Sequence, residues 1–258
     1  PFTTYAPATV AFSTRDIEQT AKIIHSCKNG LVILGRRGAS EQHCPEIDRL
    51  LKTLKWPVHA DISSGFRLGR AKALLQKLDK NPDVVLHLGG TFISKKIQQQ
   101  LEAAPPAHYI LVHENARRID PGHIVTHRLQ CDAAHYAEQL CKFLVDKNEN
   151  SPAPASLGSS AEKNERQMNL SESQIARFVS KNLPQDHGLF LGNSMPVRHM
   201  NEYAATDGSF HPVGTNRGAS GIDGLIASTV GFARGLKRAV TAIIGDVSFL
   251  HDLNSLNL

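Results

Sequence analysis

The chain has 258 residues, of which 41% are hydrophobic and 21% charged, with a net charge of +5. That length holds one large domain or about two ordinary ones, and no apolar run approaches the ~20 residues that span a bilayer. The charge is scattered in doublets (Arg36-Arg37, Lys95-Lys96, Arg117-Arg118) without the aromatic-interleaved stripe of a nucleic-acid binder, so small anions are the expected partners.

Ser13 with Asp16 has the spacing of a capping box, and Ile17, Ala21 and Ile24 give the first helix an apolar face. Leu31 to Leu34 reads as a buried strand ending in Gly35-Arg-Arg-Gly-Ala-Ser40. Pro45 to Lys55 is the next helix, Trp56 to Ile62 a second strand, and a helix through Leu74, Leu75 and Leu78 follows. Asp83 to Leu88 is a third strand, ending in Gly89-Gly90-Thr91. Helix Lys95 to Ala104, strands His108 to His113 and Ile124 to Leu129, and helix Asp132 to Val145 complete the pattern. Strands alternating with helices at this interval predict an α/β, Rossmann-like parallel sheet covered on both faces. Gly35 to Ser40 is GxxG and not GxGxxG, which favours a plain tight turn over a dinucleotide site, although Asp61 lies at about the distance of a ribose ligand.

His123 and His127, four apart, would suit zinc only on a helix, and Ile124-Val125-Thr126 reads as strand. The four cysteines (Cys27, Cys44, Cys131, Cys141) form no CxxC pair, as expected of reduced structural thiols. Residues 147–166 have no apolar periodicity and are rich in Ser, Asn, Pro and charge, so they read as a linker between residues 1–146 and a second α/β unit, residues 167–258.

In that unit Ser171 caps a helix whose apolar positions are Ile175, Phe178, Val179 and Leu183. Gly188 to Leu191 is a strand leaving through Gly192-Asn193-Ser194 into a helix, Met195 to Ala205. His211 to Thr215 is a short strand, Asn216 to Gly224 a glycine-dense loop, and Leu225 to Gly235 a helix. The last apolar run, Ala239 to Ile244, ends in Gly245-Asp246, with a helical stripe of Phe249, Leu250, Leu253 and Leu256 after it. Parallel strands would gather Ser194 with Arg198, Arg217, and Asp246 with Ser248 at one edge, where ligands sit in open α/β sheets. Two arginine forks suit carboxylates or phosphates, and glycines let backbone approach a bulky ligand. Asp246 could bind magnesium beside a diphosphate, or simply cap the terminal helix.

Gly192-Asn-Ser-Met-Pro-Val-Arg198, Asn216-Arg-Gly-Ala-Ser-Gly-Ile-Asp-Gly224 and Gly245-Asp-Val-Ser-Phe-Leu-His-Asp-Leu-Asn254 resemble the 2-succinyl-5-enolpyruvyl-6-hydroxy-3-cyclohexene-1-carboxylate synthases. These are thiamine-diphosphate-dependent transferases of menaquinone and phylloquinone biosynthesis. The resemblance implies a middle domain followed by the first part of a diphosphate-binding domain. It also implies an internal fragment, with a glutamate-bearing domain before Pro1 and an asparagine metal ligand beyond Leu258. By the same resemblance Asp246 is a ligand of Mg2+ (or Mn2+), and Gly245 and Ser248 lie at the diphosphate. Ser220 and Ile222 lie at the cofactor, Ile222 as the wedge that bends it. Ser194, Arg198 and Arg217 hold substrate carboxylates. Lys95-Lys96 stands where the family has Lys-Arg, and a lysine lacks the bidentate fork.

The implied substrates are 2-oxoglutarate and isochorismate, in a homo-oligomer (dimer or tetramer) that is cytoplasmic in a bacterium or plastidic in a plant or alga. Two rivals remain. One is an acetolactate-synthase-like enzyme, for which the arginines are too many. The other is a regulatory module binding a nucleotide on the first sheet. The Arg36-Arg37 and Arg117-Arg118 doublets follow strand exits on one edge of that sheet, where they point apart into solvent or share an anion.

Overall fold

The computed structural model describes residues 12–38, 42, 44–68, 78, 80–144, 171–205, 209–218 and 220–257. The expected linker, and Leu74-Leu75 of one expected helix, lie outside the described residues. Five strands form a parallel sheet: β1 (Gly30–Leu34), β2 (Val58–Ala60), β3 (Val84–Leu88), β4 (His108–Val112) and β5 (His127–Leu129), in the order β2-β1-β3-β4-β5. Their side chains alternate between two cores, as the period of two requires. Val32, Leu34, Leu86, Leu88, Ile110 and Val112 pack under α1 (Thr14–His25), α2 (Pro45–Leu54) and α4 (Ala133–Leu144), whereas Leu31, Ile33, Val85 and Tyr109 pack with Ile97 and Leu101 of α3 (Lys95–Ala103). Both faces are covered, so the strands are apolar at nearly every position.

Local chemistry sets the ends of these elements. The Ser13–Asp16 box closes α1 in both directions, Asp16 N donating to Ser13 Oγ and Ser13 N to Asp16 Oδ2. The β1 and β3 exits are laced together, Gly35 N bonding Leu88 O and Gly90 N bonding Arg36 O. A Cβ on Gly35 would lie 1.8 Å from Gly90 O, so that glycine serves the approach of two loops. β5 is shorter than the expected strand, because the Asp120 carboxylate takes the N–H groups of Ile124 and Val125 that would otherwise seek a strand partner.

The second sheet contains β6 (Gly188–Leu191), β7 (Val213–Thr215) and β8 (Val240–Ile243), all parallel, in the order β7-β6-β8. Around it lie α5 (Glu172–Asn182), α6 (Met195–Tyr203), α7 (Leu225–Leu236) and α8 (Asp246–His251), with a 3-10 turn at Leu253–Asn257. The expected apolar face of α5 is only partly used: Phe178 is 67% exposed and Ile175 is exposed as well. Ala176 and Ser180 are buried in their place, because Ala205 N at the end of α6 bonds Ser180 Oγ and that approach needs small side chains. The stripe of Phe249, Leu250, Leu253 and Leu256 is also outward; Ser248 and Asp252 face in.

A seam of buried polar groups joins the two sheets. Arg67, from the loop after β2, donates to the carbonyls of Asn201, Glu202 and Ala204 at 3.0, 3.3 and 2.6 Å, closing the C-terminus of α6 where its carbonyls lack helical partners. Burial lowers the Arg67 pKa to about 10, which still leaves it charged at neutral pH. Asn201 Oδ1 accepts from Ile62 N at 2.8 Å. Ile62 and Leu68 pack into the core of the second sheet with Leu189, Leu191, Val197 and Met200.

Candidate active site

Three strand exits converge where the order β7-β6-β8 places them, on the carboxyl edge of one sheet. Gly192 N bonds Ile243 O at 2.8 Å, holding the β6 and β8 exits side by side. Asn193 is buried, and its Nδ2 reaches 2.8 Å to Gly221 O in the glycine loop. The first expected cluster is therefore tied to the second through a residue the sequence did not single out. Ser194 adopts φ 67°, ψ −125°, outside the ordinary basins of a residue with a Cβ. Strain of this kind costs about 1–3 kcal/mol and persists where surrounding structure imposes it, commonly at sites of function. It turns the chain into α6, with Pro196 in the first turn and Arg198 exposed on the helix.

The loop after β7 is held from three sides. Asn216 Nδ2 donates to Ser228 Oγ of α7 at 2.8 Å, and Arg36 Nη1, from the β1 exit, donates to Arg217 O at 2.7 Å. Asp252 accepts from Gly224 N at 3.0 Å and Ile226 N at 2.6 Å, closing the N-terminus of α7 that Gly224 cannot cap. Desolvation pushes the Asp252 carboxyl up, but bonds from Ile226 N, Ser255 Oγ and Gly224 N outweigh it and hold it below the usual carboxylate range. Ser220 at φ 35° is a second residue of the site with a Cβ and a positive φ, and Ile222 is an exposed apolar side chain of the same loop.

At the β8 exit Gly245 is the N-cap of α8 and Asp246 is already in its first turn. The reading of Asp246 as a side-chain cap is thus not realised; it is exposed, without a hydrogen bond among the described residues. Ser248, two residues further on, is buried. Lys95 and Lys96 stand exposed in the first turn of α3. The loop before them abuts the second sheet's core through Ile93, whose N–H donates to Asp61 Oδ2 at 2.7 Å. Asp61 Oδ1 accepts from Ser63 N, so both carboxylate oxygens are used and Asp61 is not placed as a ribose ligand.

This donor set suits one kind of metal. Among the described residues no group of three or more His, Cys, Asp or Glu could hold an ion. A magnesium site asks less of the protein, one or two carboxylates with phosphate oxygens completing the octahedron, and the exposed Asp246 is a carboxylate that could serve as one of them. Asn193 Oδ1 is a buried acceptor with no donor among the described residues, which leaves hydrogen-bonding capacity at the β6 exit for a ligand. The cysteines offer no competing nucleophile: desolvation and an Asp83 bond push the Cys27 thiol up to about 12, and burial pushes Cys131 up to about 12.

Residues 1–191 match a family described as the middle domain of thiamine pyrophosphate enzymes. The chain is 37% identical over 279 residues to the 2-succinyl-5-enolpyruvyl-6-hydroxy-3-cyclohexene-1-carboxylate synthase of Rubrobacter xylanophilus, covering 99% of this chain and 48% of that protein. To the synthase of Chlorobium phaeobacteroides it is 36% identical, over 94% of this chain and 44% of that protein. Protein PHYLLO, chloroplastic, from Arabidopsis thaliana is 33% identical over 99% of this chain and 18% of its own length. The chain thus spans about half the length of the bacterial relatives. Benzoylformate decarboxylase from Polynucleobacter necessarius superposes with a TM-score of 0.70 at 17% identity, over 99% of this chain and 52% of that one, a likeness of fold.

Proposed function

Because the chain belongs to the thiamine pyrophosphate enzymes that share this middle domain, we propose that it is part of a 2-succinyl-5-enolpyruvyl-6-hydroxy-3-cyclohexene-1-carboxylate synthase. In this reading residues 1–146 are the middle domain, 147–166 a linker, and 167–258 the first part of the diphosphate-binding domain. The reaction decarboxylates 2-oxoglutarate and adds the remaining four-carbon unit to isochorismate. The observation that carries the reading is the clasp of the β6 exit on the glycine loop, Asn193 Nδ2 to Gly221 O, beside the β8 exit that bears Asp246.

When bound, thiamine diphosphate supplies the electron sink for decarboxylation. The protein's share is binding, orientation and charge. Asp246 holds the magnesium that neutralises the diphosphate, with Gly245 and Ser248 against it. Ile222 and Ser220, on a loop fixed by Asp252 and Arg36, give the cofactor an apolar support. Ser194, Arg198 and Arg217 receive substrate carboxylates, and charge-assisted forks of this kind are stronger than neutral hydrogen bonds and set direction. Both substrates are dicarboxylates, which two arginines fit better than one. Lys95 and Lys96, exposed at the start of α3, are the cations of the first unit that this reading assigns to the second substrate.

The test is calorimetric titration of Mg2+ and thiamine diphosphate into the protein that carries this chain, together with turnover of 2-oxoglutarate and isochorismate. Asp246→Ala is expected to abolish magnesium-dependent cofactor binding while the thermal melt is retained. Unchanged cofactor affinity in that variant, or turnover of pyruvate in preference to 2-oxoglutarate, overturns the reading.

A further inference from the structure

The loop that carries Arg217 is held unevenly by its own unit. Asn216 is tied to Ser228 Oγ, and Asp252 takes the N–H groups of Gly224 and Ile226. Between these anchors Gly218 has φ 134°, and a Cβ built on it would meet nothing within 4 Å. That glycine therefore serves a backbone angle and not a close approach. Glycine is also the residue with the most freedom to lose, so the peptide joining Arg217 to Gly218 needs an outside hold to keep one direction.

The hold comes from the five-stranded sheet. Arg36 Nη1 donates to Arg217 O, the oxygen of that peptide, at 2.7 Å across 181 residues of chain. Arg36 itself stands in a fixed frame. Its N–H donates to Thr91 O at 3.0 Å, its carbonyl accepts from Gly90 N at 2.9 Å, and the next N–H, of Arg37, is taken by Ser63 O at 3.1 Å. No carboxylate pairs with the Arg36 side chain among the described residues, so no counter-charge draws it away. A hydrogen bond from a charged donor is roughly twice as strong as a neutral one. With β7 setting the strand before it and Arg36 the peptide after it, Arg217 has few directions left for its own side chain. The like charge of Arg36 also disfavours a fold-back of that guanidinium onto the first sheet.

We infer that Arg36 is a positioning residue for substrate binding. It acts through Arg217, aiming that guanidinium at a substrate carboxylate from a frame that belongs to the other sheet. The inference rests on the reading of Arg217 as a carboxylate ligand. A group that meets a carboxylate equally before and during reaction adds to ground-state and transition-state binding alike, so losing its aim raises KM and spares kcat. Asp246 and Ser248 belong to α8, after the β8 exit, and Arg36 makes no bond to that helix among the described residues, so cofactor affinity is spared as well.

The experiment is a double-mutant cycle in the protein that carries this chain, with Arg36→Met, Arg217→Lys and the pair combined. Methionine keeps an apolar stem and removes every donor. Arg36→Met is expected to raise KM about 5- to 20-fold for the same substrate that Arg217→Lys impairs, with kcat, calorimetric thiamine diphosphate affinity and thermal melt unchanged. In the Arg217→Lys background the same change is expected to cost less than ~2-fold, because the fork that it positions is gone. Arg36→Lys restores a donor and is expected to bring KM back to within ~3-fold of the parent. Equal costs in the two backgrounds overturn the inference, as does an unchanged KM in Arg36→Met where Arg217→Lys is damaging; both results leave the proposed reaction standing. A KM rise that comes with a lower melt and weaker cofactor binding also overturns it, making Arg36 a structural tie. If Arg217→Lys is itself neutral, the assignment of Arg217 fails and the positioning role falls with it.

Discussion

Gln42 pairs with Val213 as though it were a neighbouring strand, accepting from Val213 N at 2.9 Å and donating to Val213 O at 3.0 Å. β7 is the outer strand of its sheet, and Gln42 covers its open side at one residue. Its Nε2 also reaches Ser63 O at 3.3 Å, so one buried amide sews the loop before α2 to both sheets.

Replacing Gln42 by Ala leaves two backbone groups of Val213 buried without partners. The expected loss is ~2–4 kcal/mol, the cost of one or two orphaned buried groups. Urea denaturation with an unchanged m-value measures it. A loss under ~0.5 kcal/mol would mean that water replaces the amide freely.

Arg198→Lys and Arg217→Lys keep the charge and remove the fork. Each is expected to lower kcat/KM by about 10- to 100-fold, equivalent to ~1.5–3 kcal/mol for a hydrogen bond to a charged group. Because Arg217 is anchored by its carbonyl on Arg36, its substitution should leave the loop in place and the thermal melt unmoved. Full kcat/KM for both substrates in both variants would return these residues to solvated charge.

His87 gives the molecule a pH dependence. It is buried in β3, with Nε2 2.8 Å from Gly90 O and Nδ1 3.1 Å from Tyr109 Oη, and burial lowers its pKa to about 4. The folded value is below the unfolded one of about 6.5, so below pH ~6.5 the unfolded chain takes up the proton first. Stability from the neutral ring is complete above that pH and is lost progressively towards pH 4, by up to ~3 kcal/mol. Urea midpoints of the parent and of His87→Gln, measured from pH 7 to pH 4, should differ in slope over this window. Parallel curves would mean that the ring protonates in the folded state without cost.

What was legible in the sequence was whatever short-range periodicity dictates. The Ser13 capping box and the Ser171 cap form as expected, and the five-strand and three-strand parallel sheets follow from alternation and glycine exits. The three motif loops reach one edge because their strands are parallel neighbours. The rest depends on partners far along the chain. Asp252, which the sequence did not single out, closes α7, and the apolar stripe around it faces outward. Arg67, Gln42 and Asn193 carry no local pattern, since their partners lie 134, 171 and 28 residues away. The Arg36-Arg37 doublet lines a cavity as its strand exit suggested, but Arg117 and Arg118 do not join it; Arg118 instead meets His123 at 2.6 Å.

Both sheets begin in their middle. β1 precedes every strand of its sheet yet lies inside it, with β2 added on one side and β3, β4 and β5 on the other. β6 likewise precedes β7 and β8 and is flanked by them. No later strand has to wedge between two already paired, so each sheet can grow outward from its founding strand while the chain is still being synthesised. Every addition closes a loop of moderate length on a finished edge, and the entropy of long-range parallel pairing is met in small steps. β8, which follows β6 and β7 in the chain, brings Asp246 to a β6 exit and a glycine loop that are already standing.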